Sequence, residues 1–261
     1  MRKVTVIELE KDIEIPETWA ELTPEQALFV YEQYFYAHRK IIDLHTFFSR
    51  LLDCFIFGKT KIKKRDKAQW SPFSTELARV FFDFLFNITA NGLELNFTET
   101  KNFMPVLKLG NMEFTGRKSN LSDLTFEEFE ATNMYLNEYA SGDTESIYSF
   151  IACLYRPEWE VFYEENLEQN AGIIKKYGKE TWKFEMIMLW YCNCIREIQT
   201  EDIYYNGNIV NFSVLFKKEE NEENEDKEQK QKNNLGWLPI IYDFAEKGIF
   251  GNLEQTKKAN L

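Results

Sequence analysis

The sequence predicts a mainly helical, α+β fold that carries a small antiparallel β-meander. Three observations point there. Apolar residues recur at three- and four-residue spacing over long stretches, as they do on one face of a helix. Thr23 and Thr125 stand where helix N-caps belong, with Gln26 and Glu128 three residues on as reciprocal capping partners. Over roughly 93–115 the period changes to two, around a Gly110-Asn111 turn pair.

The first residues, "KVTVIEL" at 3–9, alternate loosely and predict one edge strand. "LTPEQALFVYEQYFYAHRK" then opens a helix over 24–38 with Pro24 at its first position, and a second helix follows over 40–57. Gly58, a basic cluster and Pro72 interrupt the pattern. "TELARVFFDFLFNITANG" is apolar almost all round, with Glu76, Arg79, Asp83 and Asn87 as a narrow polar stripe. Such a helix is expected at the centre of the core, stopped by Gly92. The meander follows, and Pro105 places its strand partly at an edge.

Thr125 next caps a helix with Phe126, Phe129, Leu136 and Tyr139 on one face, ended by Gly142. Asp143 caps a shorter one, "TESIYSFIACLYR", which puts Ile147, Phe150, Ile151 and Leu154 on one side. Pro157 cannot continue that helix, and Arg156 suits the negative charge of its C-terminus. A further helix over 179–199 and a strand at 208–216 complete one domain over 1–216. Residues 217–234 hold seven acids, five bases and no apolar side chain, the composition of a flexible linker or insertion. An apolar helical segment over 235–261 closes the chain.

Composition narrows the function classes. Aromatic residues make up 16%, which supplies a substantial core, while the net charge of -12 repels nucleic acid and anionic lipid. No window is long and apolar enough to span a bilayer, and no signal segment opens the chain. Cys54, Cys153, Cys192 and Cys194 lack disulfide or zinc spacing and read as reduced, buried thiols.

No catalytic, cofactor-binding or metal-ligating constellation emerges. His38 and His45, seven residues apart, would lie about 10 Å from one another along a helix, too far to share an ion. Cys192 and Cys194 point apart on a helix and cannot chelate together. The acidic pairs Glu127-Glu128 and Glu164-Glu165 read as solvated faces. "KTKIKKRDK" at 59–67 is the one basic run, either a solvated loop or a docking strip for an acidic partner or phosphate backbone. The partner-binding residues expected are Lys61, Lys63, Lys64 and Arg65 in that run, with Trp237 and Tyr242 in the C-terminal segment.

"LTFEEFEATNMYLNEY" followed by "IYSFIACLYRPE" resembles a group of tailed-phage proteins from Bacteroidetes hosts. The shared shape is an "LTF-x-E-[FY]" helix start, a polar spacer and an apolar helix closing on "LYRP". "FMPVLKLGNMEFTG" upstream, and "LWYCNCIREI" and "GWLPIIYDFAEKGIFGNLEQ" downstream, are similar to that group's flanking segments, so the likeness covers about 95–255. The resemblance implies a non-enzymatic assembly factor of the virion and tail gene region. Its expected role is a tail-assembly chaperone that binds an apolar helical segment of a larger tail protein. The alternative is a structural or packaged minor virion protein. The partner implied is a phage tail or virion protein, with no nucleic acid and no membrane, and homo-oligomers are left open. The expected location is the host cytoplasm or the virion, and no cofactor is implied.

Overall fold

Both capping boxes form in the computed structural model. Thr23 Oγ1 accepts from the Gln26 backbone N–H at 3.2 Å while the Gln26 side chain accepts from the Thr23 N–H at 2.9 Å. Thr125 and Glu128 make the same reciprocal pair, at 3.3 and 2.9 Å. Two of the N–H groups that a helix leaves unpaired at its start are thereby satisfied at each site. The structure describes residues 1–6, 11–58, 60, 70–90, 92–205, 208–211, 242, 245–248 and 251–260. Within these, the protein is mainly helical with small antiparallel sheets.

The chain forms two compact units, Met1–Met104 with Glu180–Leu189, and Pro105–Lys179 with Trp190–Leu261. In the first, strand β1 (Arg2–Val6) pairs antiparallel with β2 (Lys11–Ile15). The predicted first strand is therefore one arm of a hairpin. Helix α1 spans Pro24–His38, and α2 spans Leu44–Phe57. The second helix starts later than the pattern suggested because Lys40 takes a positive φ of 56° and Asp43 supplies the cap, accepting from the Thr46 N–H. Gly58 ends α2 in the left-handed conformation.

The next segment differs most from expectation. Instead of one long buried helix, helix α3 (Pro72–Phe81) is capped by Ser71 and stops at Phe81. Strand β3 (Phe86–Thr89) then pairs with β4 (Gly92–Leu95), with Thr89 opposite Gly92. Strands β3 and β4 thus close a hairpin, and β-branched Ile88 and Thr89 favour the extended chain leading into it. Phe82, Leu85 and Phe86 are buried, but Phe73, Leu77 and Val80 on α3 are exposed. This helix is not at the centre of the core. The core of the unit is formed around Trp19, Val30, Phe47, Leu51, Phe82 and Leu85. Trp19 also donates from its indole nitrogen to the Asn96 carbonyl at 2.7 Å.

In the second unit, β5 (Val106–Leu109) and β6 (Met112–Gly116) form the predicted hairpin, Leu109 opposite Met112 and Gly110 at φ +62°. The meander over 93–115 is nevertheless two separate pieces, because β4 pairs with β3 and not with β5. Helices α4 (Phe126–Ala140) and α5 (Ser146–Leu154) pack together, and α5 packs also on α6 (Glu164–Tyr177). Asp143 does not cap α5 as its N-cap residue. It accepts from the Glu145 N–H and the Ser146 hydroxyl one turn earlier. Phe150, Ile151 and Leu154 are buried as predicted.

The apolar run ends at Leu154 because the chain enters a sheet. Strand β7 (Tyr155–Arg156) pairs with β6, Gly116 opposite Tyr155 and Thr115 opposite Arg156. Sheet order is β5-β6-β7, so β5, just after Pro105, is an edge strand. Tyr155 lies so close to Gly116 that a Cβ there would meet the ring at 2.4 Å, which requires glycine. Helix α7 (Thr181–Thr200) leads to a hairpin of β8 (Asp202–Tyr205) and β9 (Asn208–Asn211). The remainder of the predicted 208–216 strand and the whole charged run 217–234 lie outside the described residues. A short helix α8 (Leu253–Lys257) packs on α4, and the Phe126 N–H donates to the Ala259 carbonyl.

Candidate functional site

Small residues attach α3 to its unit. Thr75 and Ala78 are its buried positions, and the Thr75 hydroxyl lies 3.1 Å from His45 Nδ1 on α2. Because the inward face is small, the large apolar residues point outward. Phe73 is 72% exposed, Leu77 43% and Val80 60%, at the i, i+4, i+7 spacing of one helical stripe. Ile88 on β3 adds a fourth apolar side chain at 42% exposure. Scattered exposed apolar residues are ordinary, but a contiguous stripe is a candidate binding surface.

Beside the stripe lies an open cavity of about 500 Å³. Phe48, Phe82 and Phe86 form its apolar lining, with Val80 and Ile88 also contributing. Glu76, Arg79 and Asp83 add charge to its wall, and Arg79 donates to Glu76 at 2.8 Å. That ion pair is exposed and contributes little to stability. An apolar lining with a charged margin suits an amphipathic segment: its apolar face is buried while its polar edge keeps hydrogen bonds.

The second unit holds a buried charge cluster. Glu128 is 2% exposed, so its reading as part of a solvated acidic face is corrected. Its Oε1 accepts from Arg117 Nη2 at 2.5 Å and from Arg156 Nη1 at 2.6 Å, and its Oε2 from the Thr125 N–H. Burial pulls the Arg117 guanidinium below its ordinary pKa, while the Glu128 carboxylate opposes that fall. Arg156 is a partner in this cluster rather than a charge at a helix end. Its Nε also donates to the Glu160 carbonyl at 3.0 Å. Glu128 thereby joins both guanidinium groups and the start of α4, so the cluster fixes the positions of β6, α4 and β7.

Of the predicted partner-binding residues, Lys61, Lys63, Lys64, Arg65 and Trp237 lie outside the described residues. Tyr242 is 52% exposed. His38 and His45 sit on different helices, and His38 stacks on Tyr34 with ring centroids 5.5 Å apart. Cys54, Cys153 and Cys194 are buried, but Cys192 is exposed, contrary to the reading of all four as buried. The stripe on α3 escaped sequence reading because its apolar residues look like core until the covering elements are known. Among the described residues, no group of three or more His, Cys, Asp and Glu side chains is placed to hold a metal, and no helix is long and apolar enough to cross a membrane. No known protein family, curated protein or solved structure matches this chain.

Proposed function

We propose that this protein is a non-enzymatic assembly factor of a tailed phage, a tail-assembly chaperone that covers an apolar helical segment of a larger tail protein. The observation that carries the proposal is the exposed stripe of Phe73, Leu77 and Val80 beside an apolar cavity. An apolar helical stripe of this spacing can pack along the apolar face of a second helix, an association that draws its energy from apolar burial. The resemblance of residues 95–255 to phage tail-region proteins supports the identity of the partner. The acidic chain keeps such a complex soluble before assembly.

The test is co-expression with the tape-measure candidate of the same genome, followed by pull-down at low and high salt. A soluble complex recovered at both, and lost when Phe73 and Leu77 are replaced by Ser, is the expected result. A complex that dissolves at high salt points instead to the basic run 59–67. No complex, together with stoichiometric copies of the protein in purified particles, overturns the chaperone reading in favour of a minor virion component.

A further inference from the structure

The segment between β7 and α6, residues 157–163, displays three large apolar side chains in alternation. Trp159 is 84% exposed, Val161 62% and Tyr163 62%. Trp159 lies in a turn, and the intervening Glu160 and Phe162 are only half-buried. The backbone is pinned from within. The Glu160 N–H donates to the Pro157 carbonyl at 3.0 Å, and the Glu160 carbonyl accepts from Arg156 Nε. The Glu160 carboxylate accepts from Asn170 Nδ2 at 2.5 Å, and Asn170 is buried. Through Arg156 the segment is tied to buried Glu128.

A pinned loop that shows a tryptophan and a tyrosine to water has the properties of a binding anchor. Trp and Tyr are the residues that dominate interface energetics, and ordering cost on binding falls when the loop is already held. The chemistry of the partner follows from charge. Residues 157–174 contain five Glu and neither Lys nor Arg, and Glu158, Glu165 and Glu168, which flank the anchor in sequence, are exposed. An anionic bilayer would be repelled by that rim. We propose that residues 159–163 form an anchor for a protein surface that offers an apolar pocket bordered by Lys and Arg side chains. This surface is distinct from the stripe on α3, and its partner need not be the same one.

The probe is a three-helix-bundle display library randomised on one face and selected on the whole protein. The expected clones carry Lys and Arg around apolar residues in their randomised faces. Their affinity should fall roughly tenfold or more on a Trp159→Ser, Val161→Ser, Tyr163→Ser variant, as for loss of an interface anchor. A Glu158→Lys, Glu165→Lys, Glu168→Lys variant, which leaves the anchor intact, should weaken them as well. Circular dichroism melting of both variants should match the parent, since none of these six side chains is buried. Clones indifferent to both variants, or rich in acidic residues, overturn the proposal. So does Trp159-dependent binding to phosphatidylcholine–phosphatidylglycerol vesicles, which would make the segment a membrane anchor. Trp159-dependent dimerisation in sedimentation velocity overturns it in favour of a second copy. The Phe73 and Leu77 variants leave this surface untouched, so the two proposals fail separately.

Discussion

Arg156 Nη1 reaches Glu128 Oε1 at 2.6 Å, and the same oxygen receives Arg117 Nη2 at 2.5 Å. One buried carboxylate thus holds two guanidinium groups, 28 residues later and 11 residues earlier in the chain. Desolvating three charges is costly, and their mutual attraction offsets this only while all three remain.

Removing one partner should therefore cost far more than a charge at an exposed helix end. Arg156→Ala is expected to destabilise by about 3 kcal/mol, the low end for a broken buried pair because Arg117 stays in place. That is comparable to Leu154→Ala in the adjacent core, expected at roughly 2–5 kcal/mol. Glu128→Ala should be worse than Arg156→Ala, since it leaves two like charges facing one another. Urea unfolding of the three variants orders them. An Arg156→Ala cost below about 1 kcal/mol would place Arg156 back among ordinary helix-terminal charges.

The contrast shows where sequence reading works and where it stops. Thr23-Gln26, Thr125-Glu128 and Gly110-Asn111 were legible because each device closes within a few residues. The buried face of α5 was legible because its period survives whatever covers it. Glu128 also sits in a capping box, so its local role was plain, yet its burial depends on Arg117 and Arg156, which no local spacing connects to it. Apolar content misled in α3, where Phe73, Leu77 and Val80 are outside and Ala78 is inside. Only the packing of α2 on that face decides which side is covered. The Asn-Gly dipeptide at 91–92 of the sequence is a hairpin signal, and the apolar run before it obscured it.

Gly116 of β6 lies directly against the ring of Tyr155 on β7. A Cβ there would stand 2.4 Å from the Tyr155 ring, a separation side chains do not tolerate. Tyr155 is fully buried and cannot swing into solvent. Gly116→Ala should destabilise by about 1–3 kcal/mol, the range for overpacking a core. The double variant Gly116→Ala, Tyr155→Leu should recover part of the loss if the clash is the cause. Thermal melting of the two variants separates this from a general strand effect, which the second change would not relieve.

The exposed stripe makes a prediction about stability as well as binding. Phe73→Ser and Leu77→Ser remove apolar surface that the fold leaves in water, so each should change stability by no more than about 0.5 kcal/mol. Ala78→Leu, on the buried face of the same helix, should cost about 1–3 kcal/mol. If Phe73→Ser proved as damaging as Ala78→Leu, the stripe would be covered in solution and would not be a docking face. Urea midpoints for the three variants decide it.

Thiol reactivity should divide the cysteines by position. Cys192 lies on the exposed side of α7, while Cys54, Cys153 and Cys194 are buried. Under native conditions near neutral pH, iodoacetamide should label Cys192 first and the others only as the chain opens, because the thiolate needs both solvent and a partner for attack. Peptide mapping by mass spectrometry reads the order. Early labelling of Cys153 would mean that the packing of α5 is looser than its burial indicates.

Buried thiols and phenols also set an alkaline limit. Burial pushes Cys54, Cys153 and Cys194 up to about 12 from an ordinary 9.0. It likewise raises the phenols of Tyr31, Tyr36 and Tyr191 above their ordinary 10.0. In each case the charged form is disfavoured inside the protein, so the folded state keeps a proton that the unfolded state releases. A raised folded pKa leaves stability whole below the unfolded value and erodes it as pH climbs toward the folded one. The thiols place the window between about pH 9 and pH 12, with the phenols adding to it above about pH 10. Urea midpoints should therefore be insensitive to these groups up to about pH 9 and fall steadily beyond it. The fall should be fully reversible on return to neutral pH in the presence of a reductant, since only protons have moved. A midpoint that held constant to about pH 11 would mean that these groups are open to solvent in the folded protein, and that the cores around Cys54 and Tyr191 are not closed.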